Sequence, residues 1–99
     1  MDIEFKNLAD DTLYAKPQGR IDTLTAVDFG TAITDRLDDI KKLILDFVDV
    51  EYVSSMGLRV ILELQKTMSA QGVMMLKDVN PEVLKVFEMT GFSKILQIV

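Results

Sequence analysis

Two adjacent serines, Ser54 and Ser55, are the residues best placed to do chemistry. They follow an apolar run at residues 43–48, interrupted by Asp46, that reads as a buried strand, and then an acidic link, Asp49-Val50-Glu51-Tyr52-Val53. Met56, Gly57 and the amphipathic Leu58-Arg59-Val60-Ile61-Leu62 come next, so the pair stands where a helix begins. Serine is favoured there because its oxygen accepts a hydrogen bond from an N–H group that the first helical turn leaves free. The positive end of the helix dipole also tolerates an anion, so a phosphate on either hydroxyl would be well accommodated. From these residues alone, Ser55 is a plain cap or the acceptor of a regulatory phosphate, two roles that are compatible. Ser54 reads mainly as the cap.

Other chemistries find few residues to carry them. The chain has no histidine and no cysteine, which excludes the usual zinc sites, a disulfide framework and a Ser-His-Asp relay. No lysine lies near Ser55 and no Gly-x-Ser-x-Gly elbow is present, so a serine hydrolase is disfavoured and we expect no enzyme activity. Asp46, Asp49 and Glu51 could suggest magnesium, but alternate strand residues face opposite ways, so no metal site and no cofactor are expected. The six methionines read as core filler and adaptable contact surface. A net charge of −5 without a basic run argues against nucleic acid. No apolar stretch approaches the ~20 residues of a membrane span and the N-terminus lacks a signal-peptide pattern, so we expect a cytoplasmic protein with no membrane partner.

At 99 residues, 48% of them apolar, the chain is expected to form a single domain over residues 1–99. Ile3 and Phe5 alternate with charged residues as in a half-exposed strand, Asp10-Asp11 marks a turn, and residues 12–18 form a second strand, the two pairing as a hairpin. Pro17 belongs at a strand end, a bulge or an unpaired edge, and Gly19 lets the chain turn. A first helix is predicted from Asp22-Thr23 to about Leu37, on Ala26, Phe29, Ile33 and Leu37, with Gly30 permitting close packing against the sheet. A strand at residues 43–48 and a helix at about 55–70, with Leu58, Ile61 and Leu62 inward, come next. A strand at 73–76 follows, then a helix capped by Asn80-Pro81, anchored by Leu84 and Phe87 and ended by Gly91. Residues 95–99 make a last strand. The order is ββαβαβαβ: an α/β fold with a mixed sheet of about five strands, the first antiparallel at an edge, and three main helices. The loops carrying Arg20-Ile21-Asp22 and Ser54-Ser55 should open on the carboxyl edge of the parallel strands, where ligands gather.

Three segments, Gly19-Arg20-Ile21-Asp22, residues 50–60 and Val86-Phe87-Glu88-Met89-Thr90-Gly91-Phe92, are similar to the anti-sigma-factor antagonists of the STAS domain superfamily. They span nearly the whole chain in the right order. The resemblance implies a bacterial partner-switching protein. Its unphosphorylated form binds an anti-sigma factor that is also a serine kinase, phosphorylation blocks binding, and a separate phosphatase restores the active form. Aligned on Gly57-Leu58, the phosphoacceptor is Ser55, with Ser54 as the alternative, and Asp22 matches the aspartate that borders the site. Ser54 stands where many members have aspartate, and Met56 where a small or hydroxylated residue is common.

The expected partner-binding residues are Asp22, Ser54, Ser55, Met56, Gly57 and Arg59. Asp22 caps the first helix or takes a further part in the site. Gly57 keeps the first turn of the second helix open to a partner. Arg59, one turn after Ser55, is a solvated surface residue or a partner for phosphate. The alternative to a phosphorylated switch is a STAS scaffold or sensor subunit of a larger complex that is never phosphorylated.

Overall fold

The computed structural model describes residues 1–99. Its chain order is β1 (Ile3–Leu8), β2 (Thr12–Pro17), β3 (Gly19–Ile21), α1 (Ala26–Thr34), β4 (Lys42–Asp46) and β5 (Val50–Val53). Then come α2 (Ser55–Ser69), β6 (Val73–Lys77), α3 (Pro81–Met89), a 3₁₀ turn (Phe92–Lys94) and β7 (Gln97–Ile98). The main sheet has five strands in the order β1-β2-β4-β6-β7, with β1 antiparallel to β2 and the remaining neighbours parallel. That is the mixed sheet with an antiparallel edge expected from sequence. Asp10 and Asp11 hold left-handed φ angles of 63° and 54° in the hairpin turn, a conformation that aspartate tolerates better than most residues.

Alternation places one face of the sheet inward: Leu13 and Ala15 of β2, Leu43 and Leu45 of β4, Met74 and Leu76 of β6 are all buried. They join Phe29 and Ile33 of α1 and Ile61, Leu64 and Met68 of α2 in one apolar core. Gly30 makes its close approach to α2 rather than to the sheet, because a Cβ there would lie 2.6 Å from Val60. The inward residues of α3 are Val83 and Phe87, with Leu84 only half-buried, so the anchor lies one residue earlier than expected.

Several boundaries move for local reasons. The first helix starts at Ala26, not at residue 22, because the Asp22 carboxylate accepts the N–H groups of Leu24 (3.0 Å) and Thr25 (3.1 Å) and holds residues 22–25 in a turn. It ends at Thr34 because Arg36 and Leu37 donate to Ile33 and Thr34, the tighter three-residue step. Strand β4 stops at Asp46, whose carboxylate takes the Val48 N–H (3.1 Å) and turns the chain. Residues 92–94 curl into a 3₁₀ turn, which leaves β7 only two residues long.

The larger departure is a second sheet. Strands β3 and β5 pair in parallel, Arg20 opposite Tyr52 and Ile21 opposite Val53. The sequence reading had a turn at Gly19 and an irregular link over residues 49–53. Gly19, at φ 94°, is where β2 gives way to β3.

Candidate functional site

The small parallel sheet brings the two suspected loops together. The Ser54 N–H donates to the Ile21 carbonyl (2.9 Å), which fixes the start of α2 against the end of β3. Ser54 is buried, and its Oγ accepts the Gly57 N–H at 3.1 Å, the cap expected of it. Ser55, the first helical residue, is exposed and its hydroxyl takes no part in that cap. Ser54 is therefore the capping serine, and the Ser55 hydroxyl stands outside the cap.

Ser55 lines a shallow pocket of about 270 Å³ with Met56, Arg59 and Thr23. Arg59 is exposed and lies one turn after Ser55, so its long side chain can reach an anion on that hydroxyl. Thr23, from the turn after β3, was missed by the sequence reading. Its neighbour Asp22 drew attention through the motif, whereas an exposed threonine carries no such signal. Asp22 itself is not among the residues lining the pocket.

The Asp22 carboxylate is occupied locally. Its Oδ1 accepts from Leu24 N–H, Thr25 N–H and the Thr25 hydroxyl (3.2 Å), and its Oδ2 lies 3.9 Å from Arg20 Nε. The Leu24 N–H holds the carboxyl below its ordinary range. Desolvation opposes this, and the Thr25 groups and the Arg20 charge add to it. Asp22 thus braces the turn in front of α1 as an anion, a cap displaced from the helix by one turn.

Gly57, expected to keep the first turn of α2 open to a partner, is buried against the small sheet. A Cβ there would meet the Ile21 carbonyl oxygen at 2.6 Å and Val53 Cγ1 at 2.9 Å. Its missing side chain lets the first turn of α2 lie directly on the β3–β5 pair, and so sets the position of Ser55. Beside it, the Arg20 guanidinium stacks over the Tyr52 ring at 4.3 Å. Both residues stand in the motif segments, but their pairing leaves no mark in the sequence, because strands of three and four residues show too few alternations to be recognised.

Residues 6–99 match the STAS domain. The chain belongs to the STAS domain family. It is 32% identical over 91 residues to BtrV of Bordetella bronchiseptica, named an anti-sigma factor antagonist, a match covering 90% of this chain and 78% of that protein. The crystal structure of an anti-sigma factor antagonist from Thermotoga maritima superposes with a TM-score of 0.90 at 26% identity, covering 97% of this chain and 84% of that one. The anti-sigma factor antagonist SpoIIAA in its unphosphorylated form gives 0.83 at 18% identity, covering 99% and 88%, a likeness that speaks for the STAS fold alone. The family assignment agrees with the five-stranded mixed sheet and three helices described above. No helix of the chain is long and apolar enough to cross a membrane.

Proposed function

We propose that this STAS domain is an anti-sigma factor antagonist that acts by partner switching, with Ser55 as the switch. In this reading the unphosphorylated form binds an anti-sigma factor that is also a serine kinase, and thereby frees a sigma factor. Phosphorylation of Ser55 blocks binding, and a phosphatase reverses it. The observation that carries the reading is the division of labour between the serines: Ser54 is buried in the cap, while Ser55 stands exposed at the helix start beside Arg59. The relatives named above as anti-sigma factor antagonists support the class of partner.

The switch is electrostatic. A phosphoserine adds about −1.5 to −2 charges to a chain already at −5. The helix dipole returns only ~0.3–1 kcal/mol at an exposed position, so the fold should hardly respond. A partner packed against Ser55 would have to desolvate or oppose a dianion. Incubation with the anti-sigma factor kinases of the same genome and ATP should add one phosphate by intact mass, mapped to Ser55. Ser55→Ala should bind the partner constitutively, and Ser55→Asp should bind it weaker by ~2 kcal/mol or more, about thirtyfold. Equal partner affinity for wild type, Ser55→Asp and the phosphorylated protein would sink this reading.

A further inference from the structure

Ile21 and Val53 are buried beneath the small sheet, so their neighbours Arg20 and Tyr52 face outward. Tyr52 is 41% exposed and carries the Arg20 guanidinium over its ring at 4.3 Å. Two further contacts steady the arginine. Its backbone carbonyl accepts the Thr25 hydroxyl at 2.6 Å, and Asp22 Oδ2 faces its Nε from 3.9 Å. That last distance is an ion pair without a hydrogen bond, and it engages one corner of the guanidinium. The side chain stays 57% exposed, and its terminal nitrogens, a planar fork suited to carboxylate, carry no hydrogen bond to the rest of the chain. A surface arginine ordinarily gives up much rotamer freedom when it is bound; one already stacked and braced gives up less. Exposed Tyr–Arg pairs of this sort are the composition of interface hot spots.

Position adds to chemistry. The β3–β5 pairing that aligns Arg20 with Tyr52 also joins Ile21 to Ser54 through the Ser54 N–H bond, so the stacked arginine and the switch serine stand at the same end of the molecule. In a chain with 16 acidic and 11 basic residues, a preorganised cation at this end is set to choose partners by sign. We propose that Arg20, held by Tyr52, is a specificity-determining residue that receives a carboxylate side chain of the anti-sigma factor. The inference rests on the partner-switching reading above.

The test titrates the purified anti-sigma factor kinase against wild type, Arg20→Ala, Arg20→Lys and Tyr52→Leu, with thermal melts to show that each variant is folded. Arg20→Ala should weaken binding about tenfold or more, as truncation of an arginine anchor does. Arg20→Lys keeps the charge and loses the stacked fork, so it should recover only part of the affinity, and Tyr52→Leu should resemble it. Wild-type protein shown by intact mass to carry no phosphate serves as the binding-competent reference. A partner acid changed to lysine should restore binding to Arg20→Glu. Wild-type binding with Arg20→Ala within about twofold, or with Arg20→Lys fully equivalent, would overturn the role of Arg20 and leave partner switching standing. If unphosphorylated wild type binds no anti-sigma factor kinase at all, the functional reading falls and this proposal with it.

Discussion

Two carboxylates, Asp22 and Asp46, stand at the carboxyl ends of parallel strands, and the chain holds them in opposite ways. Asp22 draws its partners from within three residues: Leu24, Thr25 and Arg20. Asp46 is buried and draws its main partner from 32 residues away, accepting the Tyr14 hydroxyl on the neighbouring strand as well as the Val48 N–H. Tyr14 sits opposite Ile44, so Asp46, two residues on, is its diagonal neighbour on the sheet face turned away from α1 and α2. Both carboxyls lie below their ordinary range. Burial of Asp46 works the other way, but the hydrogen bonds from Tyr14 and Val48 and the nearby Lys77 charge outweigh it. The Asp22 cage is local, closed within residues 20–25. The Asp46–Tyr14 bond ties β2 to β4 and belongs to the frame. The chain thus ties one carboxylate to its own turn and the other to the sheet.

Breaking the frame should give the largest change in stability and none in function. Tyr14→Phe removes the hydroxyl and leaves the buried Asp46 carboxylate short of a donor, a loss of ~1–3 kcal/mol at neutral pH. The sign of the pH dependence follows from the shifts. The lowered Asp46 pKa contributes stability that is present above the unfolded value of about 3.9 and is lost as pH falls through the folded value. The Tyr14 pKa is pushed up to about 12, first by its hydrogen bond to Asp46 and then by desolvation and the Asp46 charge. Its contribution is complete below the unfolded value of about 10 and fades as pH rises towards the folded one. Urea melts of wild type and Tyr14→Phe should therefore differ most near neutrality, with the gap narrowing at about pH 3 and again above about pH 10. Partner binding should be unchanged. A gap equally wide at acid pH would show that the carboxylate charge plays no part.

A smaller and more local loss should come from the switch end. Ser54→Ala deletes the oxygen that accepts the Gly57 N–H and should cost ~0.5–2 kcal/mol, while phosphorylation of Ser55 stays detectable. Chemical melts measure the first effect and peptide mapping of the phosphoprotein the second. Phosphate found on Ser54 and absent from Ser55 would move the switch by one residue and dissolve the contrast between a capping serine and a signalling one.

The same contrast explains what could be read from the sequence. The first strand was legible from the alternation of Ile3 and Phe5 with charged residues and the strand at Leu43–Leu45 from its apolar run, and the caps at Ser54 and Asn80 act over three residues. Asp22 reads from sequence as the cap of the first helix, whereas it braces the turn before Thr25, the residue at the cap position. The pairing of residues 19–21 with 50–53 was not legible, since register between short distant strands leaves no local periodicity. Thr23 in the Ser55 pocket, Tyr52 under Arg20 and Tyr14 on Asp46 all depend on tertiary placement. At Gly57 the motif position is plain in the sequence, but the backbone of Ile21 that excludes a side chain there is visible only in the fold.

The smallest effect tests whether the switch end responds to its own phosphate. Arg59 shares a pocket with Ser55 and Thr23 and is exposed, so its removal should leave the stability of the unphosphorylated protein unchanged within about 0.5 kcal/mol. With phosphate on Ser55, the guanidinium can swing towards it in a charge-assisted pair worth ~0–1 kcal/mol, because both groups are solvated. A pair of that strength lowers the second ionisation of the phosphate, ordinarily near pH 6, by up to about 0.7 of a unit. Phosphorus NMR titration of phosphorylated wild type and Arg59→Ala reads that difference directly, with the variant expected to titrate higher. Asp22 supplies the opposing control. It is an anion held by its own turn, so Asp22→Asn should lower the phosphate value if the two charges sense each other across the site. Phosphate titrations that coincide in wild type, Arg59→Ala and Asp22→Asn would mean that no side chain of the switch end answers the modification. Added charge and bulk at Ser55 would then be the whole of the switch.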